Sequence, residues 1–111
     1  MSNSAPLAEL EYVVLIALAR LGDQAYGIAI HDEIEQRTGR DLAIGSVYTV
    51  LDRLQKKGYV TTRLGEPTQE RGGRAKRFFI LEHAGALALT HAQRMHASLW
   101  EGLEVDPEAY R

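Results

Sequence analysis

Apolar residues recur at helical spacing in four segments of this chain. The first segment follows Pro6, and its i, i+3, i+4 and i+7 spacing is typical of the buried face of a helix. This stripe consists of Leu7, Leu10, Val14, Ala17, Leu18 and Leu21. The positions beside and opposite the stripe are also apolar, namely Tyr12, Val13, Leu15 and Ile16. We therefore expect this helix to pack against a second surface, most simply that of a partner subunit.

A second helix is predicted from residue 25 or 26 to residue 38, and Gly39 ends it as a C′ glycine. Its expected buried residues are Ile28 or Ala29, together with Ile30 and Ile34. A connection at 40–43 leads to the next helix, so 28–54 is predicted to form a helix-turn-helix. Within the connection, Leu42 is a candidate for a very short third strand.

The third helix, which begins near Gly45 and is stopped by Gly58, has two different faces. The apolar face, with the spacing of a buried stripe, comprises Val47, Val50, Leu51 and Leu54. The opposite face carries hydrogen-bonding side chains, namely Ser46, Tyr48, Thr49, Asp52, Arg53 and Lys56. Side chains of this kind reach base edges or phosphates. The pattern is typical of a recognition helix that is held from one side and contacts DNA from the other.

Two strands and a basic turn follow. Strand-like residues occupy 59–64 and 76–81, and Arg71-Gly72-Gly73-Arg74 forms a turn between them. Glycines there permit positive φ and a close approach of the backbone to a phosphate. Residues 65–70 show no periodicity and are expected to be the mobile half of the hairpin. This order predicts a winged helix-turn-helix, and hence a mainly α fold with a small β-hairpin wing (α+β).

A fourth helix is predicted from residue 82 or 83 to about residue 100, with its apolar positions on one side. They are Ala84, Leu87, Ala88, His91, Met95, Ala97, Leu99 and Trp100. So much apolar surface at the end of a small domain needs a partner. We therefore expect a DNA-binding domain at 7–81 and a dimerisation helix at 82–101. Residues 1–6 are expected to be disordered, and 102–111 to be a flexible acidic tail.

Five pieces of the sequence, in order, resemble the PadR-like family of bacterial transcriptional regulators. They are Tyr26-Gly27-Ile28-Ala29-Ile30; Gly45-Ser46-Val47-Tyr48 with Leu51-Asp52-Arg53-Leu54; Lys57-Gly58-Tyr59-Val60; Arg71-Gly72-Gly73-Arg74; and Phe78-Phe79-Ile80-Leu81 with Gly85. The resemblance implies a homodimeric winged-helix protein that binds double-stranded DNA, usually a repressor, whose last helix forms the dimer interface. A dimer of this kind is expected on a palindromic operator, with its recognition helices about one helical turn, or ~10 bp, apart.

Composition and charge narrow the functional classes. The 111 residues are 45% hydrophobic and include no cysteine, which fits one domain and excludes disulfides and thiolate zinc sites. No apolar run approaches the roughly 20 residues of a membrane span, and 1–6 does not resemble a signal peptide, so the expected location is cytoplasmic. The net charge is −2, but residues 40–80 hold nine basic and four acidic residues, a net +5. That asymmetry suits a polyanion, although ordinary solvated charges are the alternative.

The candidate DNA-binding residues form two groups. Ser46, Tyr48, Thr49, Arg53 and Lys56 belong to the recognition helix, and Arg71, Arg74 and Lys76 belong to the wing. The first group is expected to contact base edges, and the second to neutralise phosphates. Some alternatives remain open at this stage. The Tyr48 ring is either a contact to DNA or packed on the wing, Arg53 either contacts DNA or pairs with Asp52 or Glu66, and Lys57 and Arg77 are either contacts or solvated bystanders.

Trp100, the only tryptophan, is a candidate for a second role. The resemblance implies that short PadR-like proteins hold flat apolar ligands between the last helices of the dimer. Met95, His96 and Leu99 would be the neighbours of such a ligand. A small hydrophobic or aromatic effector would release DNA by favouring a dimer geometry that no longer fits the operator. The alternative is that Trp100 only packs at the interface.

Little in the chain favours an enzyme. The histidines lack metal-ligand spacing, since His91 and His96 are five residues apart and diverge on a helix. No phosphate-cradling loop or dinucleotide motif is present. We predict no catalytic residue, no metal and no cofactor. A different class stays open, in which the winged helix binds an acidic protein and no specific DNA sequence.

Overall fold

The computed structural model describes residues 7–67 and 75–111. The elements in chain order are α1 Glu9–Leu21, α2 Gly27–Thr38, α3 Ile44–Lys56, β1 Val60–Pro67, β2 Ala75–Leu81 and α4 His83–Trp100. Short 3₁₀ turns follow α1 at Gly22–Gln24 and lie in the tail at Pro107–Ala109. The two strands pair in antiparallel fashion, with Val60 opposite Leu81 and Arg63 opposite Phe78. The predicted fold class, mainly helical with a β-hairpin wing, is confirmed.

The core lies between α1, α2 and α3, and the hairpin closes one side of it. Its fully buried residues include Val14, Leu15 and Leu18 of α1, Ile30 of α2, Val47, Leu51 and Leu54 of α3, and Phe79 of β2. The buried face predicted for α3 is therefore confirmed. On α1 the buried face is wider than the predicted stripe, because Leu15 is fully enclosed. On α2, Ile28 is 47% exposed; two residues rotate a helix by about 200°, so Ile28 and the buried Ile30 face opposite sides.

The prediction that Leu42 forms a third strand is wrong. The second edge of β2 is occupied by the segment before α2, where Tyr26 bridges Phe78 and the Phe79 N–H donates to the Ala25 carbonyl at 2.7 Å. Leu42 instead packs against the helical core from the α2–α3 connection. Because the Ala25–Tyr26 segment satisfies that edge, the wing is joined directly to the start of α2.

Helix α4 begins against the domain and then leaves it. A Cβ atom on Gly85 would lie 2.3 Å from the Tyr59 carbonyl oxygen, so the helix touches the backbone that follows α3. Gly85 and Ala88 are its buried residues. Farther along, the His96 ring stacks on Tyr12 of α1 at 5.7 Å between centroids. The first turns are thus fixed by packing, and the apolar surface beyond them is largely exposed.

The domain limits drawn from the sequence, at 7–81 and 82–101, stay predictions. Residues 102–111 are exposed and contain a single 3₁₀ turn, in which the Asp106 carboxylate accepts from the Glu108 N–H at 3.1 Å. The flexibility expected of this tail stays a prediction. The disorder expected for 1–6 lies outside the described residues. Of the segment 65–70, expected to be mobile, residues 65–67 belong to β1 and residues 68–70 lie outside the described residues.

Candidate nucleic-acid interface

Helix α3 presents a polar surface on the side opposite the core. Ser46, Thr49, Arg53 and Lys56 are exposed, whereas Val50 and Leu54 of the same helix are buried. The Thr49 hydroxyl donates to the Gly45 carbonyl at 2.9 Å, a bond within its own helix that leaves the methyl group and an oxygen lone pair available. Four of the five predicted contact residues of α3 therefore share one accessible face.

Tyr48 lies at the edge of that face and packs on α2. A Cβ atom on Gly27 would be 2.3 Å from the Tyr48 ring and its hydroxyl, so the ring covers the first residue of α2. A larger residue at position 27 would force the ring to move. Its ring covers the start of α2, and the alternative that it packs on the wing stays a prediction. With 42% of the residue still exposed, its outer edge remains accessible.

Arg53 keeps its guanidinium on the exposed surface. Within the described residues it forms no ion pair with Asp52 or Glu66, the two structural alternatives considered for it. The positive charge of Arg53 does act on Glu11 at longer range. Its side chain is therefore accessible to a ligand at the surface of α3.

Aromatic rings and cations pack together along the wing, beside the start of α2. Tyr26 and Phe78 meet edge to face, with 5.7 Å between ring centroids. The Lys76 ammonium lies 4.3 Å above the Tyr26 ring, and the Arg63 guanidinium 4.5 Å above the Phe78 ring. Cations are attracted to ring faces in this geometry. Two positive charges are thereby held along the hairpin, one of them on the predicted wing residue Lys76.

The wing and the recognition helix are tied together by Arg77. Its guanidinium donates to the Gln55 side-chain oxygen of α3 at 3.0 Å and lies 5.1 Å from the Phe79 ring. Arg77 is therefore a structural link and not a solvated bystander. The predicted tip residues Arg71 and Arg74 lie outside the described residues, so their contacts stay predictions.

Lys57, the other suspected bystander, holds the end of α3. Its ammonium donates to the Glu11 carboxylate at 2.7 Å, and the Ala8 N–H donates to the same carboxylate at 2.9 Å. Burial opposes ionisation of Glu11, but the bond from Lys57 leads the opposing effects, and the pKa of Glu11 is lowered overall. The N-terminus of α1 and the C-terminus of α3 are thus joined by a buried ion pair.

The residues suggested for an effector do not enclose a site within one chain. Met95, Leu99 and Trp100 are 48%, 70% and 57% exposed on the far part of α4, and His96 is engaged with Tyr12. A concave space of about 290 Å³ exists elsewhere, between the end of α1 and β2, with Leu18, Arg63 and Phe78 in its wall. The four α4 residues lie on one accessible stretch, which a second chain would have to close to make a cavity.

An exposed polar face on α3, backed by a buried one and flanked by a cation-rich hairpin, is suited to binding a nucleic acid duplex. The family model for the transcriptional regulator PadR-like family matches residues 14–91, which is most of the chain and includes α3 and the wing. The chain belongs to the PadR-like family. PadR-like proteins are transcriptional regulators that bind DNA, and they are not enzymes.

Solved structures show the same fold. A PadR family transcription regulator from hypervirulent Clostridium difficile R20291 is 22% identical with a TM-score of 0.62, and the match covers 81% of this chain and 95% of that one. The structure of smu.1704 from Streptococcus mutans UA159 is 22% identical with a TM-score of 0.62, covering 92% and 98%. A complex structure of hsRosR-S1 is 24% identical with a TM-score of 0.67, covering 87% and 79%. At these identities the likeness establishes the PadR-like fold.

No curated protein matched this PadR-like chain. Among the described helices, none combines the length and the apolar character that a membrane crossing requires.

Three supporting residues in this PadR-like domain had no assigned role in the sequence analysis. Glu11 is 2% exposed although it is charged, Gly27 lies under the Tyr48 ring, and Tyr26 supports both Phe78 and Lys76. Tyr26 and Gly27 belong to a segment that resembles the family, so the sequence did indicate that they matter. Glu11 lies within the apolar stripe of α1, four residues after Leu7, but its partner Lys57 is 46 residues away and could not be inferred.

Proposed function

We propose that this PadR-like regulator binds a palindromic operator as a homodimer and represses transcription from it. The observation that carries the proposal is the two-sided character of α3. Its buried residues fix the helix in the core, while Ser46, Thr49, Arg53 and Lys56 face solvent together. A helix presented in this way fits the major groove, where base edges show a distinct pattern of donors and acceptors.

The contacts divide by chemistry. Thr49 and Arg53 are the residues expected to discriminate bases, because a hydroxyl with its methyl group and a guanidinium both recognise base edges. Lys56 on α3, and Lys76, Arg71 and Arg74 in the wing, are expected to neutralise phosphates. Phosphate contacts set position and salt dependence and contribute little to sequence choice.

A homodimer is supported by the outer part of α4. Leu87, Met95, Leu99 and Trp100 are each close to half exposed or more. Apolar side chains clustered along one helix are covered in most soluble proteins. A second copy of the same helix is the partner proposed here, since a two-fold arrangement would pair two recognition helices for the two halves of a palindrome.

Release by a small hydrophobic or aromatic effector is the regulatory part of the proposal. Met95, Leu99 and Trp100 would contact it between the two α4 helices, with His96 at the edge of the site. The effector must bind the DNA-incompetent dimer geometry more tightly than the competent one, since equal affinity would shift nothing. The expected cytoplasmic location belongs to the same proposal, because the operator is there.

The experiment that tests this function is selection of bound sequences from a random duplex library by the purified protein at moderate salt. We expect a single inverted repeat with its half-site centres about 10 bp apart, and a complex of two chains per repeat by sedimentation. If no sequence is enriched over the starting library, the proposal that the protein binds a specific operator is contradicted. It would favour the protein-interaction module, in which the cation-rich wing meets an acidic protein.

A further inference from the structure

The connection between α2 and α3 is held by contacts to both preceding helices. The Arg40 guanidinium donates to the Glu9 carboxylate of α1 at 2.8 and 3.0 Å. Leu42 packs on the core, and its carbonyl oxygen lies 2.7 Å from the Nε2 atom of His31 on α2. The His31 bond therefore fixes the backbone of the connection directly, whereas the Arg40 pair acts through two exposed side chains.

The bonded carbonyl lies immediately before the start of the recognition helix. Ala43 is the N-cap of α3, and its carbonyl accepts from the N–H groups of Ser46 and Val47 at 3.0 and 3.4 Å. Alanine has no side-chain acceptor, so α3 lacks the side-chain cap that commonly stabilises a first turn. The first turn, which carries Ser46 and leads to Thr49, consequently depends on where the connection is held.

Both ring nitrogens of His31 face acceptors. Nε2 faces the Leu42 carbonyl, and Nδ1 lies 3.0 Å from the Asp32 carboxylate. A carbonyl and an ionised carboxylate accept hydrogen bonds only, so both nitrogens must carry protons for both bonds to form. A neutral imidazole has one N–H and can keep only one of them. The ring that makes both bonds at once is the imidazolium.

We propose that His31, as an imidazolium, is a positioning residue that fixes the start of α3 and so sets how the recognition helix meets its operator. The consequence for DNA rests on the proposed function above. The effect on α3 itself does not, because it follows from the contacts within one chain.

The charges around His31 favour the protonated ring. The hydrogen bond to Asp32 is the main cause that raises the pKa of His31, the Leu42 carbonyl adds to it, burial opposes it, and Glu35 contributes its charge. The connection carries Arg40, already paired with Glu9, and Asp41. The first turn of α3 has no acidic residue, and its basic residues Arg53 and Lys56 are in the last turn.

The sign of the pH effect follows from that direction. A raised pKa in the folded protein means that the imidazolium contacts are complete below the ordinary histidine value of about 6.5 and are lost as the pH rises through the folded value above it. Operator binding is therefore expected to be strongest near pH 6 and to weaken toward pH 8.5. Histidine is the side chain whose charge changes in this window.

The test compares His31→Gln and His31→Ala with a matched control, His83→Gln, which removes an exposed histidine at the start of α4. The dissociation constant is measured for the operator and for a random duplex of equal length between pH 6 and pH 8.5. Between pH 6 and pH 8.5, we expect the dissociation constant for the operator to rise about fivefold more in the native protein than in His31→Gln. A factor of this size is typical of coupling between two sites. His83→Gln should follow the native protein.

His31→Ala should lose operator affinity at pH 6 and keep its affinity for random duplex, which depends mainly on phosphates. Glutamine retains an N–H donor that does not titrate, so His31→Gln should bind the operator with little pH dependence. Native operator affinity in His31→Ala at every pH would overturn the proposal, as would a native pH profile in His31→Gln.

A second readout needs no DNA. The backbone amide resonances of residues 43–47 should titrate in parallel with the His31 ring in the native protein and should not do so in His31→Gln. Absence of that parallel titration overturns the inference whatever the DNA result. Parallel titration in a protein that selects no operator would support the inference about α3 and count against the proposed function alone.

Discussion

At the scale of single residues, the stability of the fold depends on the charges of the buried ion pair between Glu11 and Lys57. The Glu11 side chain is 3% exposed and the Lys57 side chain 27%. Removing one partner of such a pair leaves the other charge poorly solvated, which costs more than the intact pair contributes. Stability at this joint therefore depends on two residues that lie 46 positions apart in the sequence, one in α1 and one at the end of α3.

Glu11→Gln is expected to lower the free energy of unfolding by about 2 kcal/mol at pH 7. Because the folded pKa of Glu11 is lowered from 4.5, the contribution is present above pH 4.5 and is lost as the pH falls through the folded value. Urea unfolding at fixed protein concentration from pH 7 to pH 3 checks this. The control is Glu9→Gln, whose side chain is 71% exposed and whose change should stay below about 0.5 kcal/mol. Equal losses in the two variants would contradict the assignment.

Substitutions in the two groups of proposed contact residues should change DNA binding in different ways. Thr49→Ala or Arg53→Ala is expected to relax the selected sequence, because each removes a group that recognises a base edge. Lys76→Ala, or Arg71→Ala with Arg74→Ala, should weaken all duplexes alike and lower the slope of log affinity against log salt by about 1 for each lost phosphate contact. Library selection and salt titrations on the same variants distinguish the two. Unchanged operator binding by the wing variants across salt would show that the wing does not touch phosphates.

Sequence alone was sufficient for the exposed residues of α3 and insufficient for the contacts that support them. The 3.6-residue period separates Val47 and Leu51 from Thr49 and Arg53 without any knowledge of tertiary structure. The roles of Lys57 and Arg77 depend on which elements cross near them, since Lys57 meets Glu11 and Arg77 meets Gln55. Pairings over such distances leave no periodic trace in one sequence.

At the scale of elements, the start of α4 is fixed by a backbone contact. The Glu82 N–H donates to the Tyr59 carbonyl at 2.9 Å, and the same oxygen would lie 2.3 Å from a Cβ atom on Gly85. The obstacle is backbone, which cannot rotate away as a side chain does. Any side chain at position 85 must therefore displace the helix from the wing.

Gly85→Ala is expected to destabilise the protein by about 2 kcal/mol, in the range of overpacking substitutions. The matched control is Gly45→Ala in α3, where a Cβ atom would meet nothing within 4 Å and stability should be unchanged or raised by less than about 1 kcal/mol. Thermal unfolding of both variants provides the comparison. A neutral Gly85→Ala would mean that α4 is not held against Tyr59 in solution.

The elements themselves were predictable where a period or a stop residue exists. The C′ glycine at Gly39, with φ of 72°, and Gly58, with φ of 79°, end α2 and α3 where the sequence placed their ends. The bridge from Tyr26 to Phe78 was not predictable, and Leu42 was the wrong candidate for it. A contact of one or two residues has no alternation from which a strand can be inferred.

At the scale of the whole molecule, the protein is elongated. The extents along its principal axes are 57, 37 and 20 Å. A small domain with a projecting apolar helix buries little of its surface alone, and a second copy would supply the missing contacts. In the proposed function, the assembly and not the isolated chain is the unit that contacts two half-sites.

Leu99→Asp should shift the protein toward monomer and reduce operator affinity far more than affinity for a single half-site. A charge in an apolar interface loses its solvation without gaining a partner, which opposes association. Thr90→Asp is the control, because Thr90 is exposed and lies about 180° around α4 from Leu99. Sedimentation velocity over a concentration range measures the shift. A native monomer–dimer equilibrium in Leu99→Asp would place the interface elsewhere.

The separation of the two faces of α3 also bears on how a regulator of this kind diversifies after gene duplication. Thr49 bonds only within its own helix and Ser46 and Arg53 are exposed, so substitutions at these positions are nearly free of folding cost. Tyr48 is the exception, since its ring lies on Gly27 and the two positions must change together. With the base contacts proposed above, descendant copies would acquire new target sequences one substitution at a time, while positions 27 and 48 would evolve as a pair.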